Sequence, residues 1–389
     1  MAVRGLDFEV VEVVEGAARI LVPRVEKPTS AAPVFYNPVM SLNRDVAVAA
    51  LQAYRRKLGR DVVVCEPMCG TGVRGVRFLL EVEGVKHVVM NDLNPRAAML
   101  AKVNLELNNV ADRASVENMD ANTLLMLHSA PGRRFDYVDV DPFGCPTPYL
   151  DSSVRALKKG GMLAATATDV AVLCGAHPEP CLRKYGAVTA RTEYCHELAV
   201  RILLAAVASA AARHEKAFRV LFSHSTDHYV RVYGILRAGA RGADEAVSNL
   251  GYVLHCPECL WRTAARGVAV PLPSECPECG GRLLIAGPLW VGELWDKGFC
   301  RAMLSEAENM ELPSRTLRLL RIVFGECGGP PTYYNVDLVC QLAGAPSPPI
   351  DVVVQRLRSM GYRASRTHFH PKGVRTDAPL SALREAVSG

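Results

Sequence analysis

The sequence predicts an α/β protein: a doubly wound parallel sheet with an antiparallel edge hairpin, followed by an α+β domain that carries a cysteine ribbon. Buried strand patterns alternate with helical patterns up to about residue 240, which indicates βαβ units. An acidic residue stands at or just after the end of five predicted strands, where parallel sheets bind their ligands. Two Cys-x2-Cys pairs then mark a separate module. We expect domains at 1–240 and 241–389, with the ribbon at about 253–290.

The predicted elements follow one another in a regular order. The parallel strands are DVVVCEP, HVVMNDLNP, ASVENMDA, FDYVDVDPFG and GGMLAATATD. The segment RVLFSHSTDHYVRVYGIL predicts the closing hairpin, which turns between Ser225 and His228. The five acids at the strand ends are Glu66, Asp92, Asp120, Asp141 and Asp169. We expect them to share one edge of the sheet.

Composition limits the class of protein. The 389 residues are 49% hydrophobic and 22% charged, as in ordinary globular proteins. Neither a targeting peptide nor a membrane-spanning run is expected. Thirteen cysteines without a secretory signal favour a reducing, cytoplasmic setting, with metal ligands in preference to disulfides.

A glycine-rich loop follows the first strand of the sheet. Gly70, Gly72 and Gly75 satisfy G-x-G-x-x-G, which lets a backbone approach a ligand where a helix begins. The pattern alone fits NAD as well as S-adenosylmethionine. Glu66 directly before the loop would meet a cationic amino-acid group, and no hydride-transfer site is evident. Both points favour S-adenosylmethionine.

The next two strand ends complete the predicted cofactor pocket. Asp92 suits a ribose diol of either cofactor, and Asp120 with Ala121 would hold the adenine edge. The competing interpretation is a glycine turn with helix-capping acids.

The stretch DVDPFG places Asp141 at the end of a buried strand. An exocyclic amine of a nucleobase is a poor nucleophile, and a carboxylate there would accept its proton. Phe143 would stack on a base swung out of its helix. Asp139 is interpreted as the structural partner of a backbone amide or an arginine. A D-x-D metal site remains an alternative.

The cysteine pairs have the spacing of a closed zinc site with four thiolate ligands. The predicted ligands are Cys256, Cys259, Cys276 and Cys279. The other nine cysteines lack this spacing and are interpreted as small apolar residues.

The C-terminal stretch QRLRSMGYRASRTHFHPKGVRT is basic, with no acid between Asp351 and Asp377. Such a stretch indicates contact with a phosphate backbone, although a solvated surface remains the alternative. The candidate RNA-binding residues are Arg356, Arg358, Arg363, Arg366, Lys372 and Arg375.

Taken together, FYNPVMSLNRD, EPMCGTGVRG, NDLNP, DVDPFG, HSTDHYVRVY, the cysteine quartet and SRTHFHPKGVRTDAP resemble the archaeal and eukaryotic tRNA (guanine-26-N2)-dimethyltransferases. The resemblance runs in order from about residue 33 to 379. It implies a class I, Rossmann-like methyltransferase domain before a tRNA-binding domain. Val39 departs from the family pattern, in which a basic or polar residue is expected.

The resemblance also implies roles for individual residues. The cofactor-binding positions fall on Arg44, Arg74, Asp92, Asp120 and Ala121. The catalytic acid falls on Asp141, and the aromatic residues that enclose the base fall on Phe35 and Phe143. The zinc ligands fall on the four ribbon cysteines.

The residues and the resemblance together predict an S-adenosylmethionine-dependent methyltransferase, and the resemblance implies that it adds one or two methyl groups to N2 of guanosine 26 in tRNA. Two alternatives remain: an amino-methyltransferase acting on adenine N6 or protein glutamine, and a non-catalytic tRNA-binding protein. The expected partner is tRNA, with no membrane and no obligate protein partner.

Overall fold

The structure, a computed structural model, describes residues 6–24 and 32–388. Its strands are β1 (Val10–Glu15), β2 (Ala18–Pro23), β3 (Val62–Glu66), β4 (Val85–Asn91), β5 (Ala114–Glu117), β6 (Phe135–Val140), β7 (Leu157–Ala167), β8 (Lys216–Thr226), β9 (Tyr229–Ala238), β10 (Leu250–His255), β11 (Arg262–Arg266), β12 (Leu284–Trp290), β13 (Tyr334–Asn335), β14 (Ala364–Arg366) and β15 (Gly373–Thr376). Its α-helices are α1 (Ser41–Leu58), α2 (Val73–Glu81), α3 (Pro95–Leu107), α4 (Ala121–Leu127), α5 (Leu150–Ala156), α6 (Val170–Leu173), α7 (Pro178–Tyr185), α8 (Cys195–Ala212), α9 (Ala240–Val247), α10 (Lys297–Asn309), α11 (Ser314–Glu326), α12 (Val336–Ala343), α13 (Ile350–Ser359) and α14 (Leu380–Ser388).

The main sheet has seven strands in the order β5-β4-β3-β6-β7-β9-β8. The strands β5, β4, β3, β6 and β7 run parallel, and β8 pairs antiparallel with β9. The predicted parallel sheet with an antiparallel edge hairpin is therefore confirmed. The hairpin register closes Thr226 on Tyr229, so the turn lies within the predicted Ser225–His228 segment.

The order of the strands creates a switch point between β3 and β6. The chain moves outward from β3 to β5, and then returns to place β6 against the other side of β3. Ligands of such sheets bind at this reversal, beyond the carboxyl ends of the strands. Glu66 ends β3 and Asp141 directly follows β6, so both predicted site residues lie at this point.

An N-terminal hairpin, β1 and β2, packs against α3 and was not predicted. The side chain of Asn104, which lies on α3 and is fully buried, holds this hairpin in place. Its side-chain oxygen accepts from the Leu21 amide at 2.7 Å, and its amide group donates to the carbonyls of Leu21 at 3.0 Å and Thr71 at 2.9 Å. One side chain thus joins the hairpin to the glycine-rich loop.

The later part of the chain contains two small antiparallel sheets, β11-β10-β12 and β13-β15-β14. The C-terminal part of the chain contains α12 and α13, and β14 and β15 lie within the basic stretch. Their core contains Val339, Val353, Leu357 and Leu383, all buried.

The chain forms two compact units. Unit 1 comprises Met1–Pro142, Tyr149–Ala165 and Arg301–Arg318, and unit 2 comprises Phe143–Pro148, Thr166–Cys300 and Leu319–Gly389. The division at residue 240 into a methyltransferase domain and a tRNA-binding domain stays a prediction.

Helix α8 is long and apolar enough to cross a membrane, but most of it is buried inside the protein. Its one arginine, Arg201, pairs with Glu197 one turn earlier at 2.7 Å and donates to the Trp290 carbonyl at 2.9 Å. A buried charge with these partners is typical of a core helix.

Candidate active site and metal centre

Arg74 lies at the centre of the candidate active site. It occupies the second position of α2 and is only 4% exposed. Its guanidinium pairs with the Asp141 carboxylate and lies 3.6 Å from both Glu66 and Asp139. It also donates to the Asn43 side chain at 2.9 Å. One buried cation therefore connects the ends of β3 and β6 across the switch point.

Glu66 is buried beneath this arginine. Burial raises the pKa of its carboxyl to about 8, and the charges of Asp139 and Asp141 add to the rise while Arg74 opposes it. The Gly75 amide donates to the same carboxylate at 3.1 Å. Glu66 is therefore expected to hold a proton near neutral pH.

The glycine-rich loop needs glycine at two of the predicted positions. Gly70 and Gly72 have φ of +54° and +75°, where other residues are strained. A Cβ on Gly72 would lie 2.9 Å from the Ala101 Cβ. A Cβ on Gly70 would meet the Phe35 carbonyl oxygen at 3.3 Å, so the segment with half-buried Phe35 lies against this loop.

Asp92 fixes the same loop from the end of β4. Its carboxylate accepts from the Gly70 amide at 2.8 Å and from the Asn94 amide at 2.9 Å. Burial raises its pKa, which these two hydrogen bonds oppose. Each carboxylate oxygen has a second acceptor site, so the side chain remains able to bind a hydroxyl group.

Asp120 and Ala121 stand where α4 begins. Asp120 is exposed and caps the helix by accepting from the Thr123 amide at 3.0 Å, while Ala121 is buried. The buried Asn91 amide donates to the carbonyls of Pro67 and Met119. Asn91, which sequence reasoning missed, thus brings the loops after β3 and β5 together.

Arg44, a predicted cofactor-binding residue, forms an ion pair with the buried Glu15. Its guanidinium pairs with Glu15 at 2.5 Å, lies over the Tyr36 ring and donates to the Asn37 carbonyl at 3.1 Å. Glu15 also binds the fully buried Arg77 at 3.1 Å. Sequence reasoning missed Glu15 and Arg77, because a partner on a distant hairpin leaves no local pattern.

Asp139 has the partners that its structural interpretation predicts. It is buried, accepts from the Tyr137 hydroxyl at 2.7 Å and faces Arg74. Asp141, by contrast, retains 18% side-chain exposure. Of the two acids on this strand end, Asp141 is the more accessible to a substrate.

The turn after Pro142 presents an aromatic ring. Phe143 is 65% exposed, which is unusual for so large an apolar side chain. Gly144 fixes the turn, since it accepts from the Thr168 amide at 3.0 Å and donates to the Thr168 hydroxyl at 2.7 Å.

The four ribbon cysteines come together at one point. Sγ of Cys256 lies 3.4 Å from that of Cys279, and Cys259 lies 3.5 Å from Cys276. All four Sγ atoms are within 4.8 Å of one another. A tetrahedral Zn²⁺ with Zn–S bonds of about 2.3 Å has sulfur–sulfur edges of about 3.8 Å. The donor set and its spacing fit zinc.

The candidate RNA-binding residues differ in exposure. Arg358 and Arg363 are exposed, while Arg356 is half-buried and donates to the Ala386 carbonyl at 2.9 Å.

Three of these residues have acidic neighbours. Arg366 pairs with Asp351 at 2.5 Å, and Lys372 lies 3.7 Å from Asp337. Arg375 is 2% exposed and its guanidinium binds two buried glutamates. Arg375 is therefore a buried structural residue, and its guanidinium is not accessible to a phosphate backbone.

A family model described as N2,N2-dimethylguanosine tRNA methyltransferase matches residues 16–388. The chain is 45% identical over 377 residues to the tRNA (guanine(26)-N(2))-dimethyltransferase of Methanothermobacter thermautotrophicus, covering 96% of this chain and 98% of the relative. It is 37% identical to the Aquifex aeolicus tRNA (guanine(26)-N(2)/guanine(27)-N(2))-dimethyltransferase, with 96% and 94% covered. The structure of Trm1 from Pyrococcus horikoshii with S-adenosyl-L-methionine matches with a TM-score of 0.85 and 34% identity, covering 97% of this chain and all of that one.

The raised pKa of Glu66 predicts how stability depends on pH. The folded protein retains the proton up to about pH 8, whereas the unfolded chain loses it near 4.5, the ordinary value for a glutamate. Glu66 thus makes the free energy of unfolding fall as pH rises between these values, by up to about 1.4 kcal/mol per pH unit. We expect Glu66→Gln to flatten this decline, as measured by urea unfolding at pH 5, 6, 7 and 8. The exposed Glu106→Gln is the control, and parallel pH curves for Glu66→Gln and the unsubstituted protein would contradict the assignment.

Proposed function

The chain belongs to the N2,N2-dimethylguanosine tRNA methyltransferase family, and on this premise we infer that it transfers methyl groups from S-adenosylmethionine to N2 of guanosine 26 in tRNA. The observation that supports this most directly is the family match across residues 16–388. The relatives described above give no support to adenine N6, to protein glutamine or to a non-catalytic role.

S-adenosylmethionine, when bound, supplies a methyl group on a positively charged sulfur. The glycine loop and the acids at the strand ends fit such a ligand, because Gly70 and Gly72 form a positive-φ turn directly before α2, where the backbone amides of a helix start can bind a ligand. We assign Asp92 to the ribose hydroxyls, and Asp120 with Ala121 to the adenine side. Glu66 and Arg74 lie at the end of the pocket where the amino-acid group would bind.

Arg44 is assigned to the wall of the same pocket. Its pairing with Glu15 and its contact with Tyr36 hold the guanidinium in one place. Arg44 would therefore shape the cofactor site as a fixed group, in addition to any contact with the ligand.

Asp141 is assigned as the proton acceptor for the guanine amine. The lone pair of N2 is delocalised into the ring, so its attack on a methyl group requires that the N–H protons be accepted. Arg74 pairs with the Asp141 carboxylate and fixes its orientation, while 18% of the side chain remains exposed. Phe143 and Phe35 are assigned to the faces of the guanine ring.

The zinc ion is proposed to be structural. Four cysteine ligands leave no open position for water or substrate, and the ribbon core around Leu254 and Leu283 is small. A metal would therefore stabilise this module. The cysteine content also leads us to place the enzyme in the cytoplasm.

The tRNA-binding surface is proposed to include the exposed Arg358 and Arg363, with Arg356, Arg366 and Lys372 beside them. Phosphate contact of this kind contributes affinity and salt dependence without sequence preference. The choice of guanosine 26 would then arise from the shape of the tRNA and from the base pocket.

Substrate identity can be tested with two unmodified tRNA transcripts that differ at position 26. We expect mass spectrometry of nucleosides to find N2-methylguanosine and N2,N2-dimethylguanosine in the transcript with guanosine 26. The transcript with adenosine 26 should contain neither. Methylation of guanosine 27 would extend the substrate as in the Aquifex relative, whereas N6-methyladenosine would overturn the proposal.

Asp141→Asn keeps the shape of the side chain but removes its negative charge. We expect methyl transfer to fall by about 10²-fold or more, a typical loss for a proton acceptor. Cofactor affinity measured by isothermal titration calorimetry should change little. The exposed Asp112→Asn serves as control, and full activity of Asp141→Asn would remove Asp141 from the mechanism.

Charge reversal tests the RNA-binding surface. We expect the double variant Arg358→Glu/Arg363→Glu to weaken tRNA binding and to lower the slope of log affinity against log salt by about one for each phosphate that is no longer neutralised. The charge-matched control is Arg237→Glu/Arg241→Glu, on exposed positions outside the basic stretch. Equal binding by both double variants would show that the stretch has no special role.

Removal of one ribbon thiol tests the structural metal. Cys276→Ser should lower the zinc content of the purified protein by one equivalent, as measured by elemental analysis, because three ligands hold zinc less tightly than four. Cys340→Ser, in the core of the terminal helices, should leave the zinc content unchanged. Unaltered zinc in Cys276→Ser would contradict the assignment.

A further inference from the structure

A second group of metal-binding side chains lies outside the ribbon. Cys174 caps the end of α6, and Cys195 and His196 are the first two residues of α8. Their ligand atoms lie within 4.8 Å of one another, and Sγ of Cys174 is 3.7 Å from Nδ1 of His196. All three side chains are half-buried. Cys174 is far from the other two residues in sequence, so no short spacing motif predicts this group. The sequence analysis interpreted both of its cysteines as small apolar residues.

The backbone around the group is fixed by contacts that do not involve its three members. The Thr189 hydroxyl donates to the Leu173 carbonyl at 2.7 Å, and the Arg191 side chain donates to the Gly175 carbonyl at 3.1 Å. Gly175 has φ of +90°, and a Cβ there would lie 3.2 Å from the Ala190 backbone. The chain after α6 and the chain before α8 are thus held together, so the three ligands are brought near one another by the fold.

The donor set favours a soft divalent cation. Two thiolates and an imidazole are ligands of zinc sites that keep one position open. A separation within 4.8 Å needs only a modest contraction to reach the ligand spacing around one zinc ion.

We propose that Cys174, Cys195 and His196 form a second zinc-binding site, distinct from the four-cysteine ribbon, with three protein ligands and one open position. The bound ion would join α6 to the start of α8. Thr168, two residues before α6, hydrogen-bonds Gly144 in both directions. The ion would therefore stabilise the turn that presents Phe143. The role of Phe143 rests on the proposed function, whereas metal binding itself does not.

The zinc content of the full-length protein, reconstituted with zinc under reducing conditions and freed of excess metal, tests the proposal. We expect about two zinc ions per chain, one for each site. Cys174→Ser and Cys276→Ser should each retain about one, and the double variant about none. Cys145→Ser, a half-buried thiol outside both groups, should retain both. Activity is not the readout, so a failure here is separate from a failure of the proposed function.

Cobalt supplies a second measurement. In Cys276→Ser, added Co²⁺ should produce thiolate-to-metal charge-transfer bands and the intense visible bands of a four-coordinate site, and these should disappear when Cys174 is also replaced. His196→Asn, which preserves both thiols, should retain charge transfer but release the metal faster to a chelator. The proposal would be overturned if the unsubstituted protein bound only one zinc ion per chain and Cys174→Ser bound the same amount. A disulfide between Cys174 and Cys195 in the reduced preparation would also overturn it.

Discussion

The candidate active site depends on the way one buried guanidinium shares its charge among neighbouring carboxylates. Arg74 faces Glu66, Asp139 and Asp141, and an unpaired cation at this depth would be strongly destabilising. Three ionised acids around one arginine would leave excess negative charge, and the raised pKa of Glu66 relieves it. Of the three acids around Arg74, Asp141 has the most exposed side chain.

A second buried charge network lies in unit 2. It includes Arg375, which the sequence predicted to bind RNA. Arg375 binds Glu197 at 2.7 Å and Glu326 at 3.0 Å, and Glu326 also pairs with His368 at 2.5 Å. Burial alone would raise the pKa of Glu197, but the charges of Arg375 and Arg201 lower it to about 2. Arg375, part of the basic stretch, therefore holds β15 to helix α8 and is not available to a phosphate backbone.

The start of α8 connects these features. Cys195 and His196 begin the helix, and Glu197, the next residue, anchors Arg375. A metal ion bound by the first two would fix the helix end to which the C-terminal segment is attached. Within unit 2, the turn of Phe143, the proposed second metal site and the C-terminal basic segment are thus linked through a few hydrogen bonds and ion pairs.

The sequence by itself determined the parallel strands with their antiparallel hairpin, the acids at the strand ends, the glycine turn and the ribbon cysteines. Each of these is a local pattern, since buried strands, positive φ and Cys-x2-Cys spacing are visible within a few residues. The tertiary structure decided the partners of each charge: Glu15 for Arg44, Asp141 for Arg74, and Glu197 with Glu326 for Arg375. It also decided that Cys174 meets Cys195 and His196. These pairs join distant parts of the chain, and the pairing of two charges or two ligands follows from distance and burial, which a linear sequence does not contain.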